Sequence, residues 1–298
     1  MKKELDRPYI MIKDGFYPKA KELRGFFDDQ FRNPLEVHEG RFVWDYWNVP
    51  RQYCHLRTPA YNYFPEEIYN PFHESLVHWG RENLGCHDIS PTWLSCYPAG
   101  SFQNVHKDEP HGPLAFVFSL TVKPSLFQGG RTVIGHQRNP RVLSKGRREA
   151  PQAVEGALKT FTSVPPKFNR LVVFDPSFPH GVSETSRTKD PRRSRLVVHG
   201  WFVQPRPFWD GPLEAEEIQE SLESYLKGVS SAKELKSVVG FISLRIRISK
   251  AGKVESSKTL VSTLSVKSAS LWLNNSLKEI KFAPRNKGSV LTLPLMFS

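Results

Sequence analysis

The run Arg195-Leu196-Val197-Val198-His199-Gly200-Trp201-Phe202 puts Arg, Val, His and Trp on one parity and Leu, Val, Gly and Phe on the other. A period of two is that of a β-strand, so the first set shares one face. That face carries a cation among apolar groups. Burying a guanidinium without a counter-charge costs several kcal/mol, so the fold must enclose an anion there or admit one. A sheet closed around a polar interior meets that demand. Two further strand-like stretches lead to metal-ligand side chains. Pro165-Pro166-Lys167-Phe168-Asn169 reads as a turn, 170–175 as an apolar strand, and Phe178-Pro179-His180-Gly181-Val182 follows. Residues 97–108 read as another strand, in which alternation sets His106 and Asp108 on one face and Lys107 on the other.

His106, Asp108 and His180 together offer two imidazoles and one carboxylate. Three such donors occupy one side of an octahedron and leave positions open for a co-substrate and O2, the arrangement of mononuclear non-haem iron. The chain has ten His, so a lone His-x-Asp pair would mean little. Its weight comes from a second His at the end of another strand and from Arg195 in the strand after that. A dicarboxylic acid that chelates iron at one end and meets a planar guanidinium at the other satisfies both charges, because the guanidinium fork matches a carboxylate with two parallel hydrogen bonds.

In this order and spacing, residues from about Tyr9 to Phe202 resemble the Fe(II)/2-oxoglutarate-dependent dioxygenases, in their prolyl-hydroxylase-like branch. Three stretches carry the resemblance: Cys96-Tyr97-Pro98-Ala99-Gly100 leading to His106-Lys107-Asp108; Gln128-Gly129-Gly130-Arg131-Thr132; and Lys167-Phe168-Asn169-Arg170-Leu171 leading to His180 and Arg195. It implies that His106, Asp108 and His180 are the catalytic iron ligands, that Arg195, six residues before Trp201, binds the distal 2-oxoglutarate carboxylate, and that Tyr97 assists. Arg192 and Arg193 lie close by, and Arg193 shares the parity of Arg195, so they compete for that role. The fold implied is mainly β, a double-stranded β-helix of jelly-roll type with flanking helices.

The activity implied is that of an enzyme using Fe(II), 2-oxoglutarate and O2, with ascorbate in support. It would hydroxylate a peptide, a protein residue or an amino-acid-derived metabolite and release succinate and CO2. Desaturation and ring formation use the same machinery, whereas Asp108 in the third ligand position leaves no seat for a halide. A different class of reading is a catalytically dead barrel that serves as a protein-binding scaffold through its C-terminal module. The intact residue set argues against it.

The 298 residues suffice for one large domain and a small one. The sequence divides into an oxygenase domain over 1–212, an acidic linker helix over 213–230 and a small basic α+β domain over 231–298. The helix is read from Ile218, Leu222, Tyr225 and Leu226 on one stripe and from Gly228 at its end. Residues 240–297, with the Ala251-Gly252 turn, Phe282-Ala283-Pro284 and Leu293-Pro294-Leu295-Met296-Phe297, resemble the C-terminal domain of TonB-type proteins. The resemblance implies a recruiting role. Residues 231–298 hold nine Lys, three Arg and three Glu, against +12 for the whole chain. An acidic protein or peptide is the partner favoured there, ahead of nucleic acid, for which there is no fold signature and the aromatic interleaving is thin.

Residues 41–69, rich in Trp, Tyr and Pro, read as an irregular aromatic layer over the barrel or as substrate-facing loops. Residues 138–155, basic and unpatterned, read as a long loop beside the site, a lid or binding loop or equally a merely solvated basic loop. No apolar run of about 18 residues and no apolar leader is seen, which excludes a membrane span of helical type. Cys54, Cys86 and Cys96 cannot all pair and lack metal spacing, so the expected compartment is reducing, the cytoplasm.

Overall fold

The structure, a computed structural model, describes residues 8–33, 35–41, 43–138 and 160–298. It divides into two compact units. One takes residues up to Leu76 and Ile89–Val203; the other takes Val77–Asp88 and Gln204–Ser298. In chain order the first stretch gives β1 (Ile10–Asp14), α1 (Ala20–Gln30), β2 (Asp45–Val49), β3 (Tyr53–Pro59), α2 (Ala60–Tyr63), α3 (Glu66–Leu84), β4 (Asp88–Ile89), β5 (Trp93–Tyr97), β6 (Phe102–His106) and β7 (Leu114–Ser119). There follow β8 (Thr132–Gly135), β9 (Phe161–Val164), β10 (Arg170–Phe174), β11 (His180–Val182) and β12 (Arg195–Val203). The main path of the sheet runs β1-β10-β7-β12-β5-β3-β6-β11-β8-β9. It is a curled antiparallel sheet of jelly-roll type, and the unit is mainly β.

The parity read from β12 is the parity of the fold. Leu196, Val198 and Phe202 are fully buried on one side, where Phe116 meets Phe202 and Phe72 of α3 meets Phe118 at ring separations of 5.1 and 4.9 Å. Each such ring stabilises by about 1.5–3 kcal/mol. Arg195, Val197, His199 and Trp201 face the other way and line a cavity of about 1680 Å³. Arg24 of α1 fixes the chain where it enters β12, donating to the Leu120 carbonyl at 3.0 Å and also to the Arg192 carbonyl.

Two expectations are corrected. Residues 97–108 are not one strand: β5 ends at Tyr97, Gly100 turns the chain at φ 88°, and β6 ends at His106, so that Asp108 lies beyond the strand. A positive φ is a conformation that glycine adopts without the steric cost of a Cβ. Residues 41–69 are not an irregular layer, since β2 and β3 form an antiparallel hairpin turning at Arg51, φ 64°. Their aromatic content suits strands, and partial burial on both faces hides the alternation. The basic loop expected over 138–155 falls outside the described residues except for Arg138.

The second unit holds β13 (Phe208–Asp210), α4 (Ala215–Ser231), β14 (Gly240–Ile248), β15 (Val254–Ser262), α5 (Lys267–Ser276) and β16 (Ser289–Phe297). Its antiparallel sheet has the order β13-β16-β14-β15. Ile242, Leu244, Ile246 and Ile248 alternate into a core shared with Leu273, Leu291 and Leu293. The acidic helix expected over 213–230 is present as α4, opened by a capping box between Glu214 and Glu217. It does more than link, because Ile218, Leu222, Tyr225 and Val229 enter the same core. Residues 77–88 are tied in as well: Glu82 pairs with Arg245 at 3.0 Å, and a Cβ on Gly85 would meet Ser243 Oγ at 1.9 Å.

Candidate active site

His106 and His180 are directly opposed Cα partners in the β6–β11 ladder. Opposed residues present side chains to the same face, and here the imidazole centroids stand 4.5 Å apart. Gly181 allows the close approach, since a Cβ there would lie 2.6 Å from the Gln103 carbonyl oxygen. Asp108 reaches the pair from the turn after β6, its backbone N–H donating to the Pro176 carbonyl at 3.2 Å. Its Oδ2 stands 3.3 Å from His106 Nε2 and 3.4 Å from His180 Nε2. The three ligand atoms all lie within 4.8 Å of one another.

The donor set fits a small divalent metal. Ligand atoms about 2.1 Å from an ion and at right angles are separated by about 3 Å. Nδ1 of His106 faces the Asn104 carbonyl at 2.8 Å, and Nδ1 of His180 faces that of Phe178 at 2.9 Å. Those contacts hold a proton on each Nδ1, so Nε2 is the atom of each ring that would give up its proton to Asp108 or to solvent and offer a lone pair to a metal. Burial opposes ionisation of Asp108, but hydrogen bonds and charge from His106 and His180 prevail and hold its carboxyl well below the usual range. In return, Asp108 raises the His106 pKa against the opposing effect of burial. The carboxylate is ready for a cation.

Across the cavity Arg195 is 1% exposed. Its Nη2 donates to Thr132 Oγ1 at 3.2 Å, its Cζ lies 4.4 Å from the Tyr97 ring centre, and its Nε and Nη1 have no hydrogen-bond partner. Buried donors of this kind are satisfied by an anion that offers two oxygens. Gly130, at φ 61°, backs the guanidinium stem; a Cβ there would meet the Phe127 ring at 2.8 Å and Arg195 Cδ at 3.2 Å. Arg192 and Arg193 are placed elsewhere, on a 3-10 turn whose side chains pair with Asp190.

All five residues expected at the site therefore line one cavity, His106, Asp108 and His180 at one place and Arg195 with Tyr97 at another. Thr132 was missed, although it closes the Gln128-Gly129-Gly130-Arg131-Thr132 stretch. His55 and His199 were also missed as site residues. His55 stacks on Tyr97 at 4.9 Å, and His199 Nε2 sits 2.9 Å from Ser95 Oγ. Burial, followed by the charge of Arg57 and Arg195, pushes His55 down to about 4. Burial, followed by the charge of His55, Arg195 and Arg57, pushes His199 down to about 3. Both are neutral at physiological pH.

Residues 92–203 match the 2OG-Fe(II) oxygenase superfamily. No curated protein matches the chain. Among solved structures, a Pseudomonas putida prolyl-4-hydroxylase is 18% identical over 65% of this chain and 92% of its own, with a TM-score of 0.44. A viral collagen prolyl hydroxylase from Paramecium Bursaria Chlorella virus-1, in complex with 2-oxoglutarate, is 14% identical over 65% and 94%, with a TM-score of 0.40. HygX from Streptomyces hygroscopicus, with nickel, 2-oxoglutarate and hygromycin B bound, is 11% identical over 66% and 83%, with a TM-score of 0.46. The family match makes residues 92–203 a 2OG-Fe(II) oxygenase domain. The chain is a dioxygenase, an oxidoreductase that uses Fe(II), 2-oxoglutarate and O2.

Proposed function

We propose that this dioxygenase hydroxylates a peptide, a protein residue or an amino-acid-derived metabolite, with His106, Asp108 and His180 holding Fe(II) and Arg195 holding the distal carboxylate of 2-oxoglutarate beside Tyr97 and Thr132. One observation carries the reading: three metal-donor side chains within 4.8 Å of one another share a cavity with a buried arginine that has two unpartnered donors. When bound, the iron and 2-oxoglutarate supply the oxidation, in which O2 is consumed, 2-oxoglutarate becomes succinate and CO2, and one oxygen enters the substrate.

The chain's own groups bind and orient. Asp108 contributes the charge, and the Asn104 and Phe178 carbonyls keep the two Nε2 atoms lone-pair outward. Arg195 would receive one carboxylate, Thr132 steadies its Nη2, and the Tyr97 ring lies beside the guanidinium. Neutral His55 and His199 add no charge to the cavity wall. The experiment is a mass-shift screen of peptides and amino-acid-derived metabolites with Fe(II), 2-oxoglutarate and ascorbate. A gain of one oxygen tied to succinate release is the expected result. Succinate release in step with loss of two hydrogens would replace hydroxylation by desaturation.

We further propose that the chain works as an oxygenase domain over 1–212 joined through 213–230 to a TonB-C-like module over 231–298, which docks an acidic protein or peptide. The charge of that module supports this, nine Lys and three Arg against three Glu. Attraction of this kind weakens as salt screens it, so binding of poly-glutamate measured at low and high ionic strength tests it. A cytoplasmic setting is proposed with it, in keeping with the free thiols of Cys54, Cys86 and Cys96. Among the described residues no helix is long and apolar enough to cross a membrane.

A further inference from the structure

β3 sends Tyr53, His55 and Arg57 into the cavity on one parity. Arg57 is held there in an unusual way. Its Cζ stands 2.9 Å from the ring centre of Trp47 on β2 and 3.9 Å from that of Trp93 on β5. Two indole faces attract a cation through their quadrupoles, more strongly where water is excluded. The two rings, tilted by 56° with centroids 6.4 Å apart, enclose the guanidinium carbon from two sides and leave its N–H groups to be met from the cavity. In-plane donors in a fork are the geometry that matches a carboxylate.

Among the described residues no group is hydrogen-bonded to that fork. Among the described residues Arg57 has no ion pair, and its Nε is buried without a hydrogen-bond partner. Asp45 is its Cα partner across the hairpin, yet makes no salt bridge with it. Charge around the cavity points the same way. Among the described lining residues the one carboxylate is Asp108, already shared by two imidazoles, whereas Arg51, Arg57 and Arg195 are all cationic. A 2-oxoglutarate dianion and Asp108 together cancel a divalent metal and Arg195. The rest of the lining stays positive.

Resting on the functional reading above, we propose that the substrate carries a carboxylate and that Arg57, clamped between Trp47 and Trp93, is the residue that receives it. The clamp holds the guanidinium carbon in place before binding, so little rotamer freedom is lost when the anion arrives.

The test uses the full chain loaded with Zn(II), which does not turn over, and with 2-oxoglutarate, which occupies Arg195. N-acetylated amino acids of varied side chain are titrated by calorimetry beside their C-terminal amides, a pairing that changes charge and little else. At least one acid should bind about tenfold or more tightly than its amide, the worth of one charge-assisted contact. Arg57→Gln should erase that preference while 2-oxoglutarate affinity stays within about twofold of wild type. Arg57→Lys should keep the charge but not the fork, and so retain part of the preference. If Arg57→Gln does not fold, the lysine variant decides: a preference unchanged from wild type overturns the proposal. It is overturned equally if no acid out-binds its amide, or if acid and amide weaken together in Arg57→Gln, the mark of a merely structural clamp. Failure of the wild-type chain to bind 2-oxoglutarate would overturn the functional reading itself, and this inference with it.

Discussion

Tyr97 and Arg195 are Cα partners across the β5–β12 ladder, and the guanidinium carbon of Arg195 stands 4.4 Å from the centre of the Tyr97 ring. Cross-strand pairs are the units from which a sheet gains side-chain stability. Here one pairing both joins two strands and sets the direction of a buried cation. The position cannot be lent to a neighbour, because Arg193 is 63% exposed and belongs to a turn.

Arg195→Lys is therefore expected to weaken 2-oxoglutarate far more than iron. Loss of one charge-assisted hydrogen bond costs about 1.5–3 kcal/mol, roughly 10–100-fold in affinity. Arg193→Lys should leave 2-oxoglutarate affinity unchanged. Calorimetric titration of both variants checks the pair, and the opposite ranking would move the assignment to Arg193.

Removing any of the three metal donors should end turnover. His106→Ala, Asp108→Ala and His180→Ala are each expected to reduce Fe(II)-dependent succinate formation to background, with wild-type circular dichroism. Bound iron is to be assayed alongside. Succinate formation retained in any one of them, with metal bound, would remove that residue from the ligand set.

Gly181→Ala tests the strand spacing that brings the imidazoles together. The new methyl would meet the Gln103 carbonyl oxygen at 2.6 Å and Asn104 C at 3.1 Å, both main-chain atoms. Overpacking of this kind costs about 1–3 kcal/mol, and Fe(II) affinity should fall with it. Gly25→Ala in α1, where a Cβ meets nothing within 4 Å, should instead stabilise by up to about 1 kcal/mol. Urea unfolding and metal titration of the two variants separate the cases.

Acid should destabilise the fold through His55 and His199. Unfolded, each takes up a proton near pH 6.5; folded, burial first and then neighbouring positive charge depress them to about 4 and about 3. The unfolded chain binds more protons in that interval. Their contribution is complete above pH 6.5 and is lost as pH falls toward 4, by up to about 1.4 kcal/mol per pH unit for each histidine. Urea midpoints at pH 7 and pH 5 should differ, and the difference should narrow in His55→Gln. A gap that does not narrow would count against His55 as a source.

The metal and arginine positions were legible because a polar residue in an apolar strand stands out locally. His180 follows the apolar stretch that holds β10, and Arg195 opens β12 with three apolar residues behind it. The path between the elements was not legible in the same way. Within 97–108 the break between β5 and β6 is marked by Pro98 and Gly100, a turn signal that the polar and apolar alternation on either side conceals. His106 meets Asp108 through that turn and the one after β6, not through alternation. Thr132 and Arg57 gain their meaning from partners distant in sequence, Arg195 for one and Trp93 for the other. Pairings between remote strands leave little trace in local pattern.

The chain returns to its second unit after leaving it. Val77–Asp88 are made early, whereas the strands they pack on, β14 and β16, come last: Gly85 fits against Ser243 and Thr292, and Leu84 is fully buried. During synthesis these residues leave the ribosome without a surface to cover them, and they stay exposed until the final strand is complete. Premature termination anywhere before β16 leaves the end of α3 as a bare apolar stub. The cover for this early segment is thus supplied by strands made long after it, so its burial reports on how far the second unit has assembled.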